Sequence, residues 1–212
     1  MSVPLPPVPE TRLTDWRQTD RTVEAPFSTP MVSVETHTVV YEERAQREAI
    51  QESVGLDHPW RFFFSSRVRL DPPQPPNPLL SSLLRTRIFS AFVDRLADRG
   101  LDDISEQDRG RFRVGGATGV RKRYRAQLRV DPADPPDGDG TAPTSDWEPL
   151  SLPIEALAVV WADDDYFVAG GAYPAGPPAG GPDEVVAALR AAIDSTADRE
   201  ELVALIKGCG ES

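Results

Sequence analysis

The sequence predicts an α+β fold: one domain in which a twisted antiparallel sheet carries helices packed on it. Two observations predict it. Several β-branched and aromatic segments with two-residue alternation follow one another along the chain. Helical three- and four-residue spacing is confined to a short stretch near residue 50, one long stretch after a proline-rich connector, and the C-terminal end. Runs of sequential strands favour antiparallel pairing, with the helices laid on the sheet.

Residues 1–30 open Met1-Ser-Val-Pro-Leu-Pro-Pro-Val-Pro9 and lack periodicity. They read as an extended proline-rich arm, with Trp16 and Phe27 as candidate anchors. The α+β domain then spans 31–208. Met31 to Glu43 is β-branched and reads as a strand. Arg44 to Val54 forms a short helix with Ala45, Ala49 and Ile50 on one face, stopped by Gly55. Trp60 to Leu70 alternates: Trp60, Phe62, Phe64, Val68 and Leu70 fall on one face, Arg61, Arg67 and Arg69 on the other. The polyproline-like connector 71–78 leads into the longest helical pattern, Leu79 to Arg99, ended by Gly100. Arg111 to Val114 reads as a short strand, and Gly115 to Gly119 as a turn. Val120 to Val130 follows as a strand, and residues 131–149 as an acidic loop insertion. Leu152 to Trp161 and Tyr166 to Tyr173 make a hairpin around Asp163-Asp164-Asp165, with a bulge at Gly170 and Gly171. Pro182-Asp183-Glu184 opens a helix that buries Val185, Val186, Leu189 and Ile193. A last helix begins near Ser195 or Thr196, buries Leu202, Val203, Leu205 and Ile206, and stops at Gly208. Over residues 31–195 this order of elements is similar to the Mog1/PsbP-like fold. That resemblance implies an accessory or assembly protein more readily than an enzyme.

Composition narrows the class. A chain of 212 residues, 39% hydrophobic and 27% charged, is globular in character. The net charge of −11 comes with 20 Asp and 14 Glu, and the basic residues are 21 Arg against 2 Lys. Such usage resembles that of salt-in halophilic archaeal proteins, although a GC-rich genome produces the same bias. Net charge bears on solubility and association, not on fold. With one cysteine, Cys209, an intramolecular disulfide and multi-cysteine metal sites are excluded. The N-terminal residues have neither the charged nor the apolar region of a secretory signal, and no apolar run reaches membrane-spanning length. A reducing, cytoplasmic setting is the expectation.

The strongest candidate for function is an arginine stripe. Arg121, Arg123, Arg125 and Arg129 are in phase on one side of a strand whose other side, Val120, Tyr124, Ala126, Leu128 and Val130, is apolar. With Arg111 and Arg113, and with Arg61, Arg67 or Arg69 on neighbouring strands, they would form a cationic face for an acidic partner, a phosphate ligand or nucleic acid. The competing reading is an internal ion-pair lattice with carboxylates such as Glu35 or Glu155 on adjacent strands. Nucleic acid is disfavoured. Counterion-release binding weakens steeply with salt, and no RNA-binding aromatic signature accompanies the stripe.

Other motifs carry less. His37 and His58 stand without a second ligand or a nucleophile in pattern, so both read as structural. Cys209 follows a helix C-terminus, where the negative end of the dipole disfavours a thiolate, and reads as a tail residue. The aspartates from Asp131 to Asp146 fail calcium-loop spacing, and Gly115 to Gly119 lacks the context of a phosphate loop. No metal, cofactor or membrane is expected. The sequence therefore points to a non-catalytic binding or accessory protein that contacts another macromolecule, a protein first. An anion or nucleic-acid binder using the stripe, or an enzyme of unrecognised type, are the alternatives.

Overall fold

The computed structural model describes residues 3–28, 33–74, 78–130 and 149–211. The acidic insertion expected at 131–149 lies almost wholly outside them. Seven strands form one sheet: β1 (Trp16–Ser28), β2 (Ser33–Glu43), β3 (Phe62–Asp71), β4 (Leu101–Val114), β5 (Ala117–Val130), β6 (Leu150–Ala162) and β7 (Tyr166–Pro174). Their order is β1-β2-β3-β7-β6-β5-β4, and every neighbouring pair is antiparallel. Four helices pack on it: α1 (Ala45–Val54), α2 (Pro78–Asp98), α3 (Asp183–Ala192) and α4 (Ser195–Gly208). The fold is α+β, with the antiparallel sheet and packed helices that the sequence predicts.

Both faces of the sheet are covered. On one, Ile50 of α1, Leu84, Phe89, Phe92 and Leu96 of α2 and Leu189 of α3 pack on Phe62, Val68, Tyr124, Leu128, Leu152, Ala156 and Val168. On the other, Leu202, Leu205 and Ile206 of α4, with Leu13 and Trp16, cover Phe63, Leu157, Val159, Trp161 and Phe167. This explains the nearly continuous apolar runs of β6 and β7. Alternation marks one wet face, and β7 and the second half of β6 have none.

Local chemistry fixes the helix ends. Gly55 takes φ 73° and closes α1 by donating to Gln51 O. Asp194 caps α4 by accepting from the backbone N–H groups of Thr196 and Ala197. Asp183 and Glu184 sit in the first turn of α3, where the helix dipole favours them.

Three expectations are corrected. Residues 16–28, read as part of the arm, form strand β1 against β2. Their polar pattern hides them because β1 is a sheet edge with a largely exposed surface. The preceding residues are also seated: Ser65 Oγ donates to Pro7 O, and Val3 is buried. Second, β4 is not the short strand 111–114 but begins at Leu101. Third, Gly170 and Gly171 do not form a bulge, since the register across both neighbouring strands is continuous. They are glycines for proximity. A Cβ on Gly170 would overlap Leu157 O, and one on Gly171 would overlap Phe62 O.

Candidate functional site

The arginine stripe forms as the spacing predicts. Tyr124, Ala126, Leu128 and Val130 of β5 are buried under the α1–α3 side, which turns Arg121, Arg123, Arg125 and Arg129 to the α4 side. There most of them meet acids. Arg121 pairs with Asp108 of β4. Arg123 Nη1 donates to Glu155 Oε2 at 3.1 Å. Glu155 Oε1 also accepts the Tyr173 hydroxyl and lies 3.9 Å from Arg199 Nε. Burial, with Glu155 beside it, pushes the Tyr173 hydroxyl pKa well up, so it stays a donor. Arg129 is 3.7 Å from Asp102. Arg125 is exposed and has no ion pair among the described residues. On β3, Arg67 and Arg69 share Asp165 at 2.8 and 3.0 Å, and Arg61, the residue before the strand, engages Asp198 and Glu201. Glu155, a partner named on sequence grounds, does serve the lattice.

Arg111 and Arg113 do not join this face. They pair in register with Val120 and Thr118, the residues of β5 whose side chains turn toward α2. Arg109 pairs with Lys122 on the same side. The expected six-arginine surface is therefore split across the sheet. Four members lie toward α4 and two toward α2.

The α2 side holds a groove of about 400 Å³ between α2, β4 and β5. Arg85, Arg109 and Lys122 supply its cationic lining, Glu106 its single carboxylate, and Ser82, Thr86 and Ser90 of α2 its hydroxyls. Lys122 Nζ donates to Glu106 at 2.6 Å and sits 5.0 Å over the Phe89 ring. Burial first, and then Glu106, push the Tyr124 hydroxyl up to about 12, against Arg109. Arg85, Arg109, Arg111 and Arg113 have no ion pair among the described residues. Arg85, Arg109 and Lys122 were absent from the sequence candidates. The spacing of Arg109, Arg111 and Arg113 at every second residue was a legible signal for the first of these.

Beneath α4 lies a buried polar group. Arg61 and Asp198 are 7% and 4% exposed, with Nη1 and Oδ1 3.2 Å apart. Glu201 accepts from Arg61 Nη2 and, at 3.0 Å, from Trp16 Nε1, while the Arg61 guanidinium lies 5.2 Å from the Trp16 ring centroid. Burial outweighs Arg61 and Gln46 and pushes the Asp198 carboxyl up to about 6. On the other side of the sheet, burial and then Arg47 hold His58 down to about 4.

The signs oppose. Asp198 titrates higher folded than its ordinary 3.8, so its stabilising contribution is full below 3.8 and is lost as pH rises through about 6. His58 titrates below its ordinary 6.5, so its contribution is present above 6.5 and is lost as pH falls through about 4. Between pH 6.5 and 4.5 each is worth about 2 kcal/mol and they nearly cancel. Asp198→Asn is expected to lose stability on acidification across that window, and His58→Gln to gain it. Urea unfolding at the two pH values checks both. Parallel curves for the two variants would refute the assignment.

The remaining candidates are structural. His37 is buried, donating from Nδ1 to Val3 O at 2.9 Å and accepting at Nε2 from Arg21 Nε at 3.1 Å. Cys209 is not a tail residue but part of the α4-side core, and burial pushes its thiol up to about 12. Asp165 is held in its turn by the two arginines of β3. Among the described residues no three His, Cys, Asp or Glu side chains gather as a metal site, and no helix is long and apolar enough to cross a membrane.

No curated protein and no solved structure matches the chain. No Mog1/PsbP family match accompanies the likeness to that fold, which is one of element order. The family model that matches covers residues 5–210, and the chain belongs to the family described as a domain of unknown function (DUF6517).

Proposed function

We propose that this protein is a non-catalytic binding module that contacts another protein through the α2-side face of β4. One observation carries the reading: four cations without an ion pair among the described residues, Arg85, Arg109, Arg111 and Arg113, gather on the side of the sheet that holds the groove, whereas the stripe leaves only Arg125 so. The stripe on the opposite face, by contrast, spends most of its charge on Asp108, Glu155 and Asp102. An unpaired cationic patch steers and orients an acidic partner, and it costs self-repulsion when left alone.

The test is a tagged capture from lysate in high salt, with and without nuclease. It compares wild type with Arg109→Ser/Arg111→Ser/Arg113→Ser and with Arg123→Ser/Arg125→Ser. Expected is a nuclease-resistant partner lost only in the β4 variant. Equal recovery by wild type and the β4 variant would refute the reading, and loss only in the β5 variant would return the interface to the stripe. The groove favours a second reading, a small anion held by Arg85, Arg109 and Lys122. Thermal stabilisation by inorganic phosphate, abolished in Arg85→Ser, is its signature.

A further inference from the structure

We infer that the outer edge of β4 accepts an acidic β-strand from another protein, and this rests on the binding reading above. β4 ends the sheet, and among the described residues no strand pairs with its outer side. An edge of this kind is a template for strand addition, in which backbone hydrogen bonds give affinity and alternate side chains give specificity.

The edge is not uniformly open. Its first half is interrupted by register irregularities between Asp102 and Ser105 and between Glu106 and Asp108, and Asp103 has φ 53°. Such irregularities twist a strand away from a prospective neighbour. The acids Asp102, Asp103, Glu106 and Asp108 also cluster there. From Arg109 to Val114 the ladder with β5 is regular. This second half is the usable template, and its side chains toward α2 are Arg109, Arg111 and Arg113.

Charge selects the occupant. The three arginines recur at about 6.8 Å, the two-residue repeat of a strand. An added strand presents its own alternate side chains at the same repeat, directly opposite. Carboxylates at every second position would each face a guanidinium. A second copy of β4 would instead set arginine against arginine, which is destabilising. The same charges that keep copies of this protein apart suit an acidic partner strand. The other face of the template carries Gly110 and the half-buried Phe112, leaving room for small apolar residues between the carboxylates.

The experiment uses the full chain and two labelled hexapeptides, alternating Asp–Val and alternating Asp–Pro, followed by fluorescence anisotropy. The peptides carry equal charge, but proline cannot donate to a ladder. Expected is saturable binding of the Asp–Val peptide and none of the Asp–Pro peptide. Affinity should fall at least tenfold, on the order expected for reversed contact charges, in Arg111→Glu/Arg113→Glu. Circular dichroism verifies the variant's fold, and Arg111→Ser/Arg113→Ser provides a milder reading should the reversed charges disturb it. Equal binding of the two peptides, or no effect of either variant, would overturn strand addition. So would a concentration-dependent dimer that those variants abolish. If the capture experiment loses its partner in the β4 variant while no peptide binds, the surface stands and only the strand mechanism falls.

Discussion

Arg61→Leu is expected to destabilise the protein by about 3–4 kcal/mol at pH 7. The guanidinium lies between α4 and β3, bonded to Asp198 and Glu201 and stacked near Trp16. Removing one partner from a buried pair leaves an uncompensated charge, which typically costs 3–5 kcal/mol. Here the loss has a ceiling. Asp198 escapes by taking a proton, which its buried site already favours by pushing the carboxyl up to about 6. Glu201, more exposed, can turn to solvent. Two consequences follow. The deficit should shrink toward pH 5, where protonation is cheap. Arg61→Leu/Asp198→Leu should recover much of it, because apolar replacement of a whole buried pair is often neutral or better. Urea unfolding of the three proteins at pH 7 and pH 5 measures this. A pH-independent deficit would mean that lost packing on Trp16, not the stranded carboxyl, dominates.

Gly171→Ala is expected to cost about 3 kcal/mol, the upper part of the usual range for overpacking. The new methyl would overlap the carbonyl oxygen of Phe62 on the neighbouring strand and meet Leu202 Cδ1 at 2.8 Å. Neither neighbour can withdraw. Phe62 belongs to the ladder between β3 and β7, and Leu202 is buried in α4. Gly116→Ala is the control, since a Cβ there meets nothing within 4 Å. It should be neutral or slightly stabilising through its effect on the unfolded chain. Thermal unfolding of the pair gives the comparison. Near-equal midpoints would show that β3 and β7 can part at this point.

What sequence reasoning reached, and what it missed, divides along the sheet. The five inner strands and the helix faces were legible, because burial marks them with apolar residues on one side or on both. Both misjudged strands are the sheet's edges. Trp16–Ser28 and the first ten residues of β4 are mostly polar, so neither period appears in them. The stripe of β5 was readable residue by residue. The opposite placement of Arg111 and Arg113 was not, because it depends on which residue of β5 each one faces. The glycine pair of β7 sent a true signal with two meanings, and bulge and close approach differ only in the register of the neighbours. The groove had no signature of its own, since α2 and β4 contribute its walls from separate parts of the chain.

The position of β7 has a consequence for how the chain acquires its shape. β1–β3 form one contiguous block and β4–β6 another, and β7 is the strand that lies between them. Until it is made, β3 and β6 are two bare edges with no strand between them. A nascent or prematurely terminated chain is thus two half-sheets with no seam, each able to recruit the wrong strand. Closure waits for the last quarter of the polypeptide, and its contacts span long sequence distances, so folding should be slow for a domain of this size. Fragments ending before Tyr166 belong among the aggregation-prone products of this gene rather than among its usable subdomains.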